Sequence, residues 1–486
     1  MKHRSNVDRG NVIGGMVWVF GERILAQLVS MLITIVLARL LDPEHYGVIS
    51  IVTICITFLN VFVTSGFGTA LVQKKEANEQ DFNTAFWLSF GVSLVLYTGL
   101  FFSTPFIAEF YDMPLLRAVL RVMGLRLPLA AFNNIQRSYI QRSMKFQKFF
   151  WATVSSTVIS GLVGVVLAYR GFGVWALVGQ YLSNTVLSTF LLFTVCPWKP
   201  KFQFSVDSGK ATWSFGWKVL VTQLIGTLEN DIRSLVVGKV FGSADLAYYD
   251  QGKKYPSLLV TNINSSIDSV MLSAYSKEQE DGHKLLTMLR RSVRVGIYVL
   301  MPVLLGFAAV TEEFVSLLLT DKWLPAVPFM QVFCLVYLTR PLECSCRQAL
   351  LAIGKSGANL IAMIVINVVA IAGVIVSVFV LESVLAIALF SLLTTLISLV
   401  CFLALANYYL GYKFKMQLHD FIPSLLAGLI MFAIVWLVGL LQMNSLLQLV
   451  VQVLVGAAIY VGYSVVFKLE PFYYLLNMIK GYVRNK

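Results

Sequence analysis

Apolar residues fill this chain in runs long enough to cross a lipid bilayer, and polar residues gather in the short gaps between them. A spanning helix needs about 20 mostly apolar residues. Such runs lie at 13–40, 46–71, 82–106, 115–135, 149–168, 174–195, 211–237, 247–272, 292–311, 326–346, 358–380, 384–406, 421–440 and 446–467. The pattern predicts an all-α polytopic membrane protein with about 14 transmembrane helices. Breakers such as Asp42-Pro43, Cys196-Pro197 and Gly354 punctuate the short connections.

Composition excludes the main alternative to a membrane fold. Of the 486 residues, 58% are hydrophobic and 13% charged, with a mean hydropathy of +0.77. A soluble domain carries about 25% charged residues, and so apolar a surface would not stay dispersed in water. The first run, from about Ile13 to Leu40, is too long for a signal-peptide core and is expected to remain as the first span. Six cysteines lie in or beside apolar runs with no CxxC or zinc spacing, so neither a disulfide nor a metal site is expected.

The net charge of +13 follows membrane topology and does not call for nucleic acid as a partner. With the N-terminus inside, the cytoplasmic segments hold most of the 38 Lys and Arg residues, among them Lys74, Lys75, Arg137, Arg142, Lys145, Arg290, Arg291, Arg294, Lys413 and Lys415. That bias predicts a cytoplasmic N-terminus and C-terminus in a bacterial inner membrane.

The chain also carries a weak internal repeat. Residues 133–145 align with 343–355, so that Arg137 falls on Arg347 and Lys145 on Lys355. Trp18-Val19-Phe20-Gly21 likewise matches Trp213-Ser214-Phe215-Gly216. Six helices per copy return the chain to its starting side, so the copies have parallel topology. The expected organisation is an N-lobe at 1–200 and a C-lobe at 201–410, facing each other in a V, with two extra helices and a cytoplasmic tail at 411–486.

Ionisable groups are costly in a bilayer and mark candidate functional positions. Arg23 and Lys218 are equivalent in the repeat, and two cations placed by symmetry suit one phosphate-bearing ligand, Arg as a bidentate fork and Lys as a point charge. Local pairing of Arg23 and snorkelling of Lys218 account for them equally simply. Lys253 and Lys254 offer an anionic head group a release site near the outer face, or are solvated helix ends. Asp231 and Asp268 are candidates for coupling to H+ or Na+, with interhelical hydrogen bonds as the alternative. Glu229/Arg233 and Arg340/Glu343 have the spacing of intrahelical ion pairs. Two polar stripes, Thr53, Thr57, Asn60 and Thr64 on the second span and Asn262, Ser265, Ser266 and Ser269 on the eighth, occupy matching places in the repeat. They line an aqueous cleft or cement helix packing.

Catalytic motifs are missing from the sequence. Gly354-Lys355-Ser356 lacks the first glycine of a P-loop, position 349 being Ala. The four histidines are scattered, and no cofactor is expected. The segment Ala38-Arg-Leu-Leu-Asp-Pro-Glu-His-Tyr-Gly47 resembles the ARxLxPxxYG signature of bacterial polysaccharide exporters. Ser65-Gly-Phe-Gly-Thr-Ala-Leu71, Tyr139-Ile-Gln-Arg-Ser-Met-Lys-Phe146 and Asp245-Leu-Ala-Tyr-Tyr249 are similar to the same family. The chain thus resembles the Wzx-type flippases, in particular the colanic-acid and teichuronic-acid branch of the multidrug/oligosaccharidyl-lipid/polysaccharide (MOP) superfamily. The resemblance implies a MATE-like fold of two six-helix bundles. It also implies export of undecaprenyl-pyrophosphate-linked oligosaccharide by alternating access, driven by an ion gradient. Further partners implied are membrane lipids and the polysaccharide polymerase and chain-length proteins. It transfers no residue role.

Competing readings are a lipid II flippase or a cation-coupled drug exporter of the same fold, and a membrane polysaccharide polymerase. A cation exporter should have an acidic cleft, whereas the symmetric candidates here are basic. A polymerase usually carries a large external loop, which the predicted spans leave no room for.

Overall fold

The computed structural model describes residues 9–64, 67–68, 71, 77–143, 146–277, 281–441 and 443–484. Side chains are described for these except at 9–24, 141–143, 146–149, 211, 215, 218, 262–274, 276–277, 478–479 and 481–484. No strand occurs among the described residues, and a helix coincides with each predicted run. Ten of the described helices are long and apolar enough to cross a membrane.

The chain forms two compact units, Met1–Ala247 and Tyr248–Lys486. The first holds α1 (Arg9–Leu40), α2 (Pro43–Thr64), α3 (Glu79–Phe110), α4 (Leu115–Gly124), α5 (Arg126–Ser143), α6 (Phe146–Tyr169), α7 (Val174–Val195), α8 (Val206–Val240) and the start of α9 (Ser243–Lys277). The second holds the rest of α9, then α10 (Gly282–Ala309), α11 (Val327–Tyr337), α12 (Arg340–Ala352), α13 (Ser356–Phe379), α14 (Val384–Leu410), α15 (Phe414–Gly439), α16 (Ser445–Val466) and α17 (Glu470–Arg484).

Hydrocarbon offers a backbone no hydrogen-bond partner, so spanning segments must be helical. Polar side chains within them mostly turn back on their own helix. Ser377 donates to the Gly373 carbonyl at 2.7 Å, Ser391 to Ile387 at 3.0 Å and Thr394 to Phe390 at 2.7 Å. Large apolar side chains such as Ile361, Val368, Phe379 and Val400 remain exposed on the outer faces, as lipid-facing residues should.

Two predicted spans are broken where one continuous helix was expected. The run at 115–135 is divided into α4 and α5, and that at 326–346 into α11 and α12. Proline is the cause in both. Pro128 and Pro341 lack the N–H that would bond the carbonyl four residues back. Those carbonyls belong to Gly124 and Tyr337, the last residues of α4 and α11.

In the first unit α2 is central, packing against α3, α4, α5, α7 and α8, with Ile51, Val52 and Val63 buried. Its Gly47 lies against the backbone of Ser243, where a Cβ would fall 1.8 Å from the carbonyl oxygen. That approach brings the start of α9 onto α2. A strap fixes α8 to the same unit. Asn78 and Asp81 cap α3 reciprocally, and Asp81 also accepts the Ser208 hydroxyl at 2.6 Å. Asn83 bonds Lys201 and Gln203, each at 3.1 Å, and Thr84 accepts the Ser205 N–H at 3.0 Å. Trp198 is buried beside Phe82 and Phe86.

In the second unit α10 is the core helix, and one buried carboxylate fastens later elements to it. Asp420 on α15 accepts Arg290 Nε at 2.7 Å and Nη2 at 2.8 Å, with Arg294 at 3.5 Å. The Tyr412 hydroxyl donates to it at 3.0 Å, and burial pushes that phenol far above its ordinary pKa, so it stays a donor. Arg294 also pairs with Glu470 of α17, and Tyr298 of α10 bonds Ser464 of α16 at 2.9 Å. The segment after residue 411 is thus packed onto α10.

Two outcomes follow for stability. Gly47→Ala should sharply reduce folded protein, read by size-exclusion chromatography and thermal unfolding in detergent. Gly91→Ala, with open space around it, should leave both unchanged. Asp420→Asn leaves two half-buried cations with less compensation. Breaking a buried pair costs about 3–5 kcal/mol, so unfolding of this variant should fall well below that of the exposed-pair variant Glu79→Gln.

Candidate functional site

A polar cavity of about 330 Å³ opens within the first unit between α2, α5 and α7. Its volume is at the lower end of the range of roughly 300–1,000 Å³ typical of small-ligand sites. Ile56, Asn60 and Thr64 of α2 line one wall. Arg126, Ala130, Asn133, Asn134 and Arg137 of α5 line the second, and Asn184, Thr185 and Ser188 of α7 the third. No carboxylate is among these residues. The α5 positions recur at i, i+4, i+7, i+8 and i+11, one face of a helix. Arg126 and Arg137 are therefore about 16 Å apart along it.

Each wall is held by its neighbours. Arg126 donates through Nε to the Thr185 hydroxyl at 3.0 Å, and its guanidinium lies 5.3 Å from the Tyr181 ring centroid. Thr185 passes its own proton to the Tyr181 carbonyl at 3.0 Å. Asn133 donates to Thr189 at 2.9 Å, and Asn184 to Ser160 at 3.1 Å. Asn134 donates to the Thr64 carbonyl at 3.1 Å and the Val63 carbonyl at 3.4 Å, which ties α5 to α2. Asn134 reaches them because Gly68 leaves room. A Cβ at Gly68 would fall 2.6 Å from Asn134 Oδ1 and 2.7 Å from Ser138 Oγ. The second glycine of the Ser65–Leu71 segment thus has a local cause.

The residues singled out from the sequence are distributed unevenly. Asn60 and Thr64 line the cavity, with the Thr64 hydroxyl bonded to the Asn60 carbonyl at 2.9 Å. Thr53 and Thr57 are not among its lining residues: Thr53 Oγ1 is buried with no partner among the described residues and Thr57 is exposed. Asp231 is half-buried on α8. Lys253 and Lys254 are half-buried on α9 in the second unit, with Asp250 close to Lys254. The side chains of Arg23, Lys218, Asn262, Ser265, Ser266, Asp268 and Ser269 lie outside the described residues.

Two expected ion pairs are corrected. No ion pair joins Glu229 to Arg233 among the described residues; both are half-buried. Arg340 is exposed, while Glu343 is buried and accepts the hydroxyls of Thr339 at 2.7 Å and Ser398 at 3.0 Å. The new helix that starts at Arg340, just before Pro341, turns the two side chains to different surroundings. Arg137 was missed as a cavity residue because α5 extends to Ser143, eight residues past the predicted end of its span. Arg137 was counted as a cytoplasmic charge. The stripe Arg126, Asn133, Asn134, Arg137 was the available signal.

The Gly68–Asn134 approach is testable by a double-mutant cycle. Gly68→Ala should lower the unfolding temperature in the natural background and cost less in the Asn134→Ala background, because the nearer of the two contacts it violates is then gone. Equal costs in both backgrounds would remove the steric account.

Comparison with known proteins places this geometry in context. The chain is 24% identical to the succinoglycan biosynthesis transport protein ExoT of Rhizobium meliloti over 62% of its own length and 61% of that protein. It is 24% identical to the lipopolysaccharide biosynthesis protein WzxC of Escherichia coli, over 68% of each chain. To the teichuronic acid biosynthesis protein TuaB of Bacillus subtilis it is 25% identical, over 62% of each. The matches to ExoT and TuaB thus span less than two thirds of those relatives. Among solved structures, the lipid II flippase MurJ in an inward closed conformation aligns over 94% of this chain and 98% of its own, with TM-score 0.73 and 15% identity. An inward-facing multidrug-resistance MATE transporter of the MOP superfamily aligns over 80% and 95%, with TM-score 0.64 and 15% identity. These structures establish the fold as that of MurJ and the MATE transporters. The polysaccharide biosynthesis protein family matches residues 36–328, more than half of the chain, and the chain belongs to that family.

Proposed function

We propose that this protein is a flippase that carries undecaprenyl-pyrophosphate-linked oligosaccharide repeat units from the cytoplasmic to the outer leaflet. The cargo would feed exopolysaccharide, capsule or O-antigen assembly. The observation that carries the reading is the cavity between α2, α5 and α7, which offers two guanidinium groups and a set of amides and hydroxyls but, among the described residues, no carboxylate. A glycan joined to an anionic carrier needs that combination of hydrogen-bonding groups and positive charge. Family membership and relatives described as transport and biosynthesis proteins of surface polysaccharides support the same cargo class.

The working cycle in this reading is alternating access between two six-helix lobes, 1–200 and 201–410, with both termini cytoplasmic. An inward flow of H+ or Na+ supplies the drive, through Asp231 or Asp268. Arg23 and Lys218 remain the proposed second grip on the pyrophosphate, with Lys253 and Lys254 near the release side. Polymerase and chain-length proteins would receive the cargo. An exporter of cationic drugs is disfavoured because a cation would meet Arg126 with no carboxylate to balance it in the cavity.

Removing the gene while leaving the glycosyltransferases intact tests the reading. Mass spectrometry of polyprenyl-pyrophosphate lipids should then find one complete oligosaccharide repeat accumulating on the carrier, with surface polysaccharide lost. Unchanged carrier lipids together with unchanged surface polysaccharide would overturn it.

A further inference from the structure

A pair of arginines beside the turn between α3 and α4 has no part in the cavity or in the proposed transport cycle. Arg117 and Arg121 are four residues apart on α4, so they share one helix face at a separation of about 6 Å. Arg117 is exposed, and its side chain has no partner among the described residues. Arg121 is half-buried and fixed in place. Its Nε donates to the Thr104 hydroxyl of α3 at 3.0 Å, and its guanidinium lies 4.2 Å from the Phe101 ring centroid. Thr104 gives its own proton to the Phe101 carbonyl at 2.9 Å, which leaves its lone pairs for Arg121. These contacts hold the guanidinium against α3, while its Nη groups have no acceptor among the described residues. The carboxylates closest in sequence supply none: Asp112 pairs with Lys239 at 2.9 Å, and Glu109 bonds neither arginine.

Around this pair the two helices present a surface suited to hydrocarbon. Leu94, Val95, Phe102 and Phe106 of α3 are exposed, as is Leu125 just past the end of α4. No amide or carboxylate is among the exposed residues of α4, or of α3 from Leu94 to Phe106. Steps of four along α4 run Arg117, Arg121, Leu125, from cation to apolar down one face. For a helix near the membrane normal these residues lie about 3, 9 and 15 Å below its first residue. The headgroup layer is about 5–8 Å thick on each side of the hydrocarbon. Arg117 thus sits among headgroups, Arg121 at their boundary with the chains and Leu125 among the chains. A phospholipid has the same order of groups, phosphate outermost and acyl chains beneath.

A guanidinium without a counter-charge is costly at that depth, and a phosphate, which arginine grips bidentately, offsets the cost. Two cations with no carboxylate favour a lipid of net negative charge over a zwitterion, whose own ammonium would face them. A carrier-linked glycan would need amides and hydroxyls for its sugars, and only Thr98 and Ser103 are exposed polar residues on this stretch of α3.

We propose that Arg117 and Arg121, with the exposed apolar face of α3, form a binding site for an anionic phospholipid of the membrane. With cytoplasmic termini the α3–α4 turn faces the outer leaflet. The choice of leaflet rests on that topology, and the chemistry of the site is independent of the flippase reading.

The test uses the purified full-length chain, delipidated in detergent, with phosphatidylglycerol, phosphatidylcholine and undecaprenyl diphosphate as probes. Binding is read by native mass spectrometry and by thermal shift. Phosphatidylglycerol should bind about tenfold or more tightly than phosphatidylcholine, a difference of about 1.4 kcal/mol. Other cations of the chain also meet lipid, so the decisive quantity is the change between variants. Arg117→Gln and Arg121→Gln should each lower the affinity for phosphatidylglycerol severalfold and leave that for undecaprenyl diphosphate unchanged. Arg117→Gln removes no contact within the described chain and carries the test if Arg121→Gln fails to fold. Arg170→Gln, which removes an exposed cation just past α6, should leave phosphatidylglycerol binding unchanged. Equal affinity for the two phospholipids, full phosphatidylglycerol affinity in Arg117→Gln, or an equal loss in Arg170→Gln would each overturn the proposal. So would a loss of undecaprenyl diphosphate binding in Arg117→Gln with phosphatidylglycerol binding intact. None of these results bears on carrier lipid in the deletion strain, so the site and the flippase reading can fail separately.

Discussion

A polar group surrounded by hydrocarbon has no water to turn to, and that constraint shapes nearly every feature of this chain. It forces the backbone into helices and sends most serine and threonine hydroxyls back to carbonyls of their own helix. It also explains why the polar groups that cross between helices are few and well aimed. In the second unit Asp420 is fully enclosed and collects donors from Arg290, Arg294 and Tyr412. In the first unit Asp81 serves its own helix cap and Ser208 together. Each of these knots joins elements far apart in sequence.

Against that background, the cavity of the first unit stands apart by what it leaves unspent. The walls themselves are well anchored: Asn134 holds the Thr64 carbonyl of α2, Asn133 holds Thr189 and Thr185 holds Arg126. Arg126 and Arg137 line the interior space. A site with anchored walls is preorganised, which limits the ordering cost of binding. It suits a carrier that must grip a hydrated, charged head group and later release it. Glu343 shows the contrasting solution, a buried carboxylate whose two oxygens are both occupied by hydroxyls.

Much of the helical layout was legible in the sequence, because a run of some twenty apolar residues has few other fates. Proline positions were legible too, yet their effect was not read: Pro128 and Pro341 each break a span that hydropathy alone presents as whole. Arg137 escaped because hydropathy marks the end of a span where polarity rises. On α5 the polarity rises at Asn133 because the helix faces a cavity there, and the helix continues to Ser143. The pairing of Arg340 with Glu343 failed for a related reason. Spacing along a helix says which residues share a face but not what that face meets, and Ser398 comes from another helix altogether.

The contact between Gly68 and Asn134 reaches beyond the single molecule. Residue 68 carries no side chain because residue 134 occupies the space one would need. The two positions are therefore not free to drift separately over generations. A lineage that replaces the asparagine loses its bonds to α2 but relieves the glycine of the nearer of two contacts, and a lineage that first replaces the glycine meets a penalty until the asparagine shrinks. Histories passing through the asparagine change first should be the ones that survive, giving the substitution a preferred order as well as a preferred pairing.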